Sequence, residues 1–142
     1  MADDGYLSVA ILSFYEQMRS VFGKPSETIT FLAGKQFASY FNGTDENQAL
    51  AFLNSLGLGE ITFDKVSKGY AHITIKDPKE ALESGRKSSF FTRGVLSGVI
   101  EKIFERPVNL LETNCFAENG KPCVFETEGQ FLGILRGNVN FG

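Results

Sequence analysis

Two cysteines and a glutamate, Glu112, Cys115 and Cys123, are the side chains here whose types suit one piece of chemistry. Thiolates and a carboxylate together make a workable ligand set for zinc, although three donors are one short of a closed structural site. They lie in Asn109-Leu-Leu-Glu112-Thr-Asn-Cys115-Phe-Ala-Glu-Asn119-Gly120-Lys-Pro-Cys123-Val-Phe125, which reads as two short strands joined by a turn. Asn-Gly between partly apolar runs is a hairpin signal, because both residues tolerate positive φ. The register decides what the thiols can do. A three-residue loop, Glu118 to Gly120, sets Cys115 opposite Cys123, about 5 Å apart on one face and able to share a metal or form a disulfide. A two-residue loop faces Cys115 with Val124 and sends the thiols to opposite faces. Glu112 adds a second condition. Residues three apart in a regular strand point opposite ways, so Glu112 and Cys115 converge only through a bulge or a strong twist. The plainer reading makes both cysteines small buried apolar residues, with Glu112 at the sheet edge.

Other candidates are weaker. Gly94-x-x-x-Gly98 lies inside a helical pattern, and each glycine there costs about 1 kcal/mol relative to alanine. Two glycines four apart leave a smooth strip, suited to close packing against a neighbour or to lining a pocket. His72 is the one histidine. It falls on the strand face opposite Ala71, Ile73 and Ile75, where exposure or a simple hydrogen bond is the plain reading. It would serve as a fourth ligand only if that face met the cysteine hairpin. No Ser-His-Asp or Cys-His arrangement is supported, and Gly57-Leu-Gly59 is too short for a phosphate loop. With 14 phenylalanines and no tryptophan, the chain has aromatic material for a core and for an apolar pocket wall, Phe37, Tyr40 and Phe91 among it.

Periodicity supplies the elements that must position these residues. Leu7, Ala10, Ile11, Phe14, Tyr15, Met18, Val21 and Phe22 have helical spacing, ended by Gly23 and Pro25. A second helix starts with Ser26 as N-cap and carries Ile29, Leu32, Ala33, Phe37, Tyr40 and Phe41 before Gly43. Thr44 caps a third, with Ala49, Leu50, Phe52, Leu53 and Leu56. The period then changes to two: Glu60 to Asp64 and Tyr70 to Lys76 form an antiparallel pair joined by a Lys65–Gly69 turn. Asp77-Pro78 opens a short helix, with the Asp as cap and Glu80 at N3, interrupted at Gly85. A longer helix runs from about Lys87 to Glu105, and Arg106-Pro107 ends it before the cysteine hairpin. The tail from Gln130 to Gly142 holds an apolar run, Phe131 to Leu135, and receives no assignment.

Segregated helices and hairpins predict an α+β fold, with the N-terminal helices and the long helix packed on a four-stranded antiparallel sheet. A length of 142 residues suggests a single domain with a substantial core. Seventeen acidic against 14 scattered basic residues give a net charge of −3, which does not support a nucleic-acid footprint. No apolar run approaches the roughly 20 residues needed to span a bilayer. The start, Met-Ala-Asp-Asp-Gly, lacks the layout of a signal peptide, so the cytoplasm is the expected compartment. There, two cysteines favour thiol or metal chemistry over a structural disulfide. Asn42-Gly-Thr44 matches a glycosylation sequon but reads as a helix end. Surplus apolar surface on the first helix suits a homodimer.

Three segments in order, Gly94-Val-Leu-Ser-Gly98, Arg106-Pro107-Val, and Glu112 through Phe125, resemble the 4-vinyl reductase domain family. Leu58-Gly59 before a hairpin looks like that family's middle, and the likeness spans roughly residues 25 to 128. The resemblance implies a fold shared with vesicle transport-particle subunits and distantly with haem NO-binding domains. It also implies a dimer and an apolar ligand cavity. Similar domains in bacterial regulators sense phenolic compounds and hold zinc, with ligands matching Glu112, Cys115 and Cys123. The fourth ligand there is a cysteine near the start of the long helix, where this chain reads Lys87-Ser-Ser89-Phe. Water, a ligand atom, His72 or no metal are the alternatives. The expected function is a sensor or carrier of a small apolar or aromatic molecule, contacted by Phe37, Tyr40, Phe91, Gly94 and Gly98. A tetrapyrrole-pathway enzyme or accessory and an assembly or tethering subunit are the rival readings; no nicotinamide or flavin motif is present.

Overall fold

The computed structural model describes residues 2–67, 69–84 and 89–127. The expected helix break at Gly85, the helix start at Lys87 and the tail from Gln130, with its Phe131 to Leu135 run, lie outside the described residues, as do the side chains of 2–9, 11, 12, 83, 84 and 117. The observed order is α1 (Ala2–Phe22), α2 (Pro25–Phe37) with a 3-10 turn (Ala38–Tyr40), α3 (Glu46–Ser55), β1 (Glu60–Ser67), β2 (Tyr70–Lys76), α4 (Lys79–Ser84), α5 (Phe90–Phe104), β3 (Leu110–Asn114), α6 (Phe116–Asn119) and β4 (Cys123–Thr127). This is the expected α+β class. Among the described residues, no helix is long and apolar enough to cross a membrane.

The helix starts differ in detail from the sequence reading. Pro25 takes the first position of α2 and Lys24 the cap. Ser26 is buried, its hydroxyl donating to the Gly23 carbonyl at 2.7 Å. Asp45, not Thr44, caps α3, in a reciprocal box with Gln48. Asp77 stands at φ 52, outside the extended range that a cap residue needs. The first bond of α4 is accepted by the Pro78 carbonyl. Glu80 is thereby released from its own helix for the role described below.

The four strands make one antiparallel sheet in the order β1-β2-β4-β3. One face carries Ile61, Ala71, Ile73, Ile75, Leu110, Cys123 and Phe125, all buried, and α5 supplies Val95, Leu96, Val99 and Ile100 to the same core. On the far side of α5 lies α2, and there the glycines matter. A Cβ on Gly94 would fall on the Phe31 carbonyl oxygen and 3.0 Å from the Lys35 nitrogen, and one on Gly98 would lie 2.5 Å from Ala38 Cβ. Gly34 of α2 answers them, since its Cβ would meet the Phe91 carbonyl and, at 2.9 Å, the Val95 nitrogen. The glycine strip therefore serves backbone-to-backbone packing. Lysines pin the same joint: Lys35 pairs with Glu101 at 2.9 Å, and Lys102 donates to the Ser39 and Phe41 carbonyls.

Candidate metal centre

A bulge brings Glu112 and Cys115 together. Glu112 pairs with Phe125 and Asn114 with Val124, so Thr113 is the extra residue in β3. That one insertion restores parity: Glu112, Cys115, Cys123 and Phe125 share the core face despite the odd spacing. The connection follows neither expected loop length. Phe116–Asn119 form a single helical turn with Cys115 in the cap position, and Gly120 closes it at φ 74. The positive φ foreseen for Asn-Gly is thus used by Gly120 as a helix C-cap rather than in a hairpin turn. The outcome for the thiols is the convergent one. One ligand atom from each of Glu112, Cys115 and Cys123 lies within 4.8 Å of the others. The two cysteines are buried and not joined in a disulfide, and the Phe116 N–H donates to Cys123 Sγ at 3.3 Å.

The electrostatics of this cluster disfavour its ionised forms unless a cation is present. Burial pushes the Cys123 thiol up to about 12, against the Phe116 N–H, and the neighbouring Glu112 carboxylate and Cys115 push the same way. Burial also raises the Glu112 carboxyl, opposed by the Cys123 and Cys115 thiols, by Ser89 and by Arg93. Glu112 Oε2 is buried without a hydrogen-bond partner. An unpartnered carboxylate oxygen beside two thiols in low dielectric is costly, and a divalent cation would offset that cost. The donor set, two sulfurs and one oxygen, fits zinc.

Around the three donors lies a shell of which the sequence pointed only to Ser89. Glu80, only 8% exposed, accepts the Phe91 N–H at 3.0 Å and the Thr92 N–H at 2.8 Å, so α4 caps the start of α5. Its spacing behind Asp77-Pro78 suggested a capping box, which hid this role. Arg93 donates to the Leu110 carbonyl at 3.1 Å, with its guanidinium 4.3 Å from the centre of the Phe31 ring. Ser89 occupies the cap position of α5 without making a side-chain cap bond.

Burial, opposed by the Thr92 and Phe91 hydrogen bonds and reinforced by Glu112, raises Glu80 from 4.5 to about 7. Between those values the folded, metal-free chain holds a proton that the unfolded chain has released. The stability Glu80 contributes is then full below about 4.5 and lost as pH rises through about 7. The loss should be about 3 kcal/mol across that window. Urea unfolding of metal-free protein at pH 5 and pH 8 should show it, and Glu80→Gln should flatten it.

The remaining candidates are placed as follows. His72 lies on the outer sheet face, its Nδ1 2.9 Å from Asp64 Oδ2 and its Nε2 3.7 Å from Glu126 Oε1, so it cannot join the cysteines. Phe91 is buried, with its ring 5.1 Å from Tyr15 and 6.1 Å from Phe37, and Phe37 lies 5.5 Å from the exposed Tyr40. These rings run from the start of α5 to the surface. Burial and the Glu80 carboxylate raise the Tyr15 hydroxyl. Gly94 and Gly98 face α2 instead of this wall. Open grooves of 410 and 430 Å³ lie further along α5, lined in part by Ile103 and Phe104 and by Lys102 and Pro107.

No family model matches the chain. An uncharacterised protein of Methanocaldococcus jannaschii is 26% identical over 115 residues, covering 79% of this chain and 70% of that protein. Among solved structures, the phenol-responsive sensory domain of the transcription activator PoxR, with phenol, is similar at a TM-score of 0.66 and 11% identity, covering 84% of this chain and 73% of that one. A vinyl-4-reductase family protein from Methanocaldococcus jannaschii is similar at a TM-score of 0.63 and 16% identity, covering 87% and 78%. The shared property is the fold.

Proposed function

From a fold common to a vinyl-4-reductase family protein and a phenol-responsive sensory domain, we propose that this chain is a small-molecule-binding domain, a sensor or carrier, with zinc held by Glu112, Cys115 and Cys123. The observation that carries it is the convergence of those three donors, with Glu112 Oε2 buried and unpartnered. Bound zinc would supply a structural tie between β3 and the start of β4. The chain's own residues do the recognition. Tyr15, Phe91, Phe37 and Tyr40 offer an aromatic wall with a polar end at Tyr15 and Glu80, which suits a small aromatic or apolar molecule. The close α2–α5 packing at Gly94 and Gly98 fixes where Phe37 and Phe91 stand. Phenol crystallised with a domain of this fold supports the ligand class.

Native mass spectrometry with elemental analysis of untreated protein tests the reading, with one zinc per chain expected. Phenol at about a hundred times its Kd should add about 2.7 kcal/mol to stability, measured as a rise in Tm. Tyr40→Ala, at a position 72% exposed, should weaken that response without unfolding the chain. Protein without metal, and indifferent to phenols, overturns the proposal.

A second copy of the chain is the partner favoured by one further observation. Phe14, Val21, Phe22, Ile29 and Leu32 on α1 and α2 are each at least half exposed, and large apolar patches mark interaction surfaces. Leu32→Glu should convert a dimer into monomer by sedimentation; an unaltered wild-type monomer removes this reading.

A further inference from the structure

We propose that the Glu112–Cys115–Cys123 centre is open, with a fourth coordination position that faces the Ser89 hydroxyl and takes an exchangeable neutral donor from outside the chain. The donor class is water or an imidazole-like nitrogen. The inference rests on the metal reading above and goes beyond it, because a structural tie needs no vacancy.

The donor count comes first. Among the described residues, three ligating side chains converge, and no fourth His, Cys, Asp or Glu joins them. His72 is on the other sheet face, engaged by Asp64. Both carboxylate oxygens of Glu80 are occupied by N–H groups of α5. Four-coordinate zinc with three protein ligands characteristically leaves its last position to a ligand from solution.

Ser89 is the second, independent observation. It is 2% exposed, makes no cap bond to its own helix, and its Oγ has no hydrogen-bond partner. It stands close enough to Glu112 to favour the ionised carboxylate. Ser89 Oγ and Glu112 Oε2 thus lie buried at one place, near each other but neither in a well-formed hydrogen bond. Buried polar atoms without partners are rare and cost free energy. A small polar occupant between them satisfies both. A neutral hydroxyl is a poor zinc ligand but a good hydrogen-bond partner for such an occupant.

Charge selects the class of donor. Two thiolates and a carboxylate around a dication leave a single negative charge, and the Arg93 guanidinium nearby offsets it. An anion in the fourth position would add an uncompensated charge to a buried site that already neighbours Glu80, whereas a neutral donor adds none.

The test uses the whole chain loaded with cobalt(II), whose visible absorption reports the number and type of ligands. Imidazole should shift the bands of the wild type saturably. Ser89→Cys should close the site. Thiolate charge-transfer intensity should rise by about half, zinc affinity should rise about tenfold or more, and the imidazole response should vanish. Ser89→Ala should keep the metal and weaken imidazole binding. Metal bands that ignore both imidazole and Ser89→Cys would overturn the open site while leaving the metal reading intact. Thiocyanate binding as tightly as imidazole would overturn the neutral donor. A chain that takes up no metal, with or without the substitution, defeats the metal reading and this inference together.

Discussion

Zinc affinity should fall at least about a hundredfold when Cys123 is replaced by alanine. Losing a group that merely orients a ligand costs 10- to 100-fold, so losing a ligand should cost more. The thiol is fully buried at the first position of β4, opposite Ile75, and with Cys115 already a donor the chain has no third cysteine to replace it. The metal-free fold should lose only about 1 kcal/mol, because cysteine to alanine deletes a single atom from the core. Paired measurements separate the two effects: competition against a zinc chelator reads the affinity, and urea unfolding in chelator reads the fold. Affinity should also rise with pH, since the metal must displace the proton that burial holds on Cys123. A Cys123→Ala chain that retains zinc at wild-type affinity would remove the cluster from consideration.

The other large effect lies on the opposite face of α5. Gly94→Ala should destabilise the chain by about 2 to 3 kcal/mol, even after helix propensity returns about 1 kcal/mol. The added methyl would land on the Phe31 carbonyl, a backbone atom that no rotamer change can move aside. Relief requires α2 to slide off α5, taking Phe37 and its contact with Phe91 along. Gly94→Val should leave little folded protein at 37 °C, because net stabilities are only about 5 to 15 kcal/mol. Gln36→Ala, exposed on α2, is the control and should change stability by less than about 0.5 kcal/mol. Equal urea midpoints for Gly94→Ala and wild type would show that the two backbones are not in contact.

Much of the architecture was legible because it rests on local pattern. The alternation at Ile61, Ile73 and Ile75 gave the first strand pair, and the apolar spacing from Phe91 to Ile100 gave α5. The cysteine hairpin was recognisable and so was its ambiguity: thiol convergence depended on register, and Glu112 on a bulge. Nothing in Glu-Thr-Asn-Cys marks Thr113 as the residue left out of pairing. That follows from where β4 lies, a nonlocal fact. Asn119-Gly120 misled for a physical reason, since one positive φ serves a hairpin turn and a helix C-cap equally well. Glu80 was hidden for the same kind of reason. A carboxylate two residues past a proline reads as part of its own helix until another helix's amides are brought to it. The glycine strip was visible, but choosing between neighbour and pocket required Gly34, whose place opposite Gly94 no periodicity reveals.

Thr113 makes chelation in this chain a matter of counting rather than of residue identity. Regular pairing of all five residues of β3, with no bulge at Thr113, would leave hydropathy, charge and every donor unchanged, yet would swing the Glu112 side chain through the sheet toward Tyr70 and Glu126 on its outer surface. A bulge-free strand here would carry the same three letters and grip nothing.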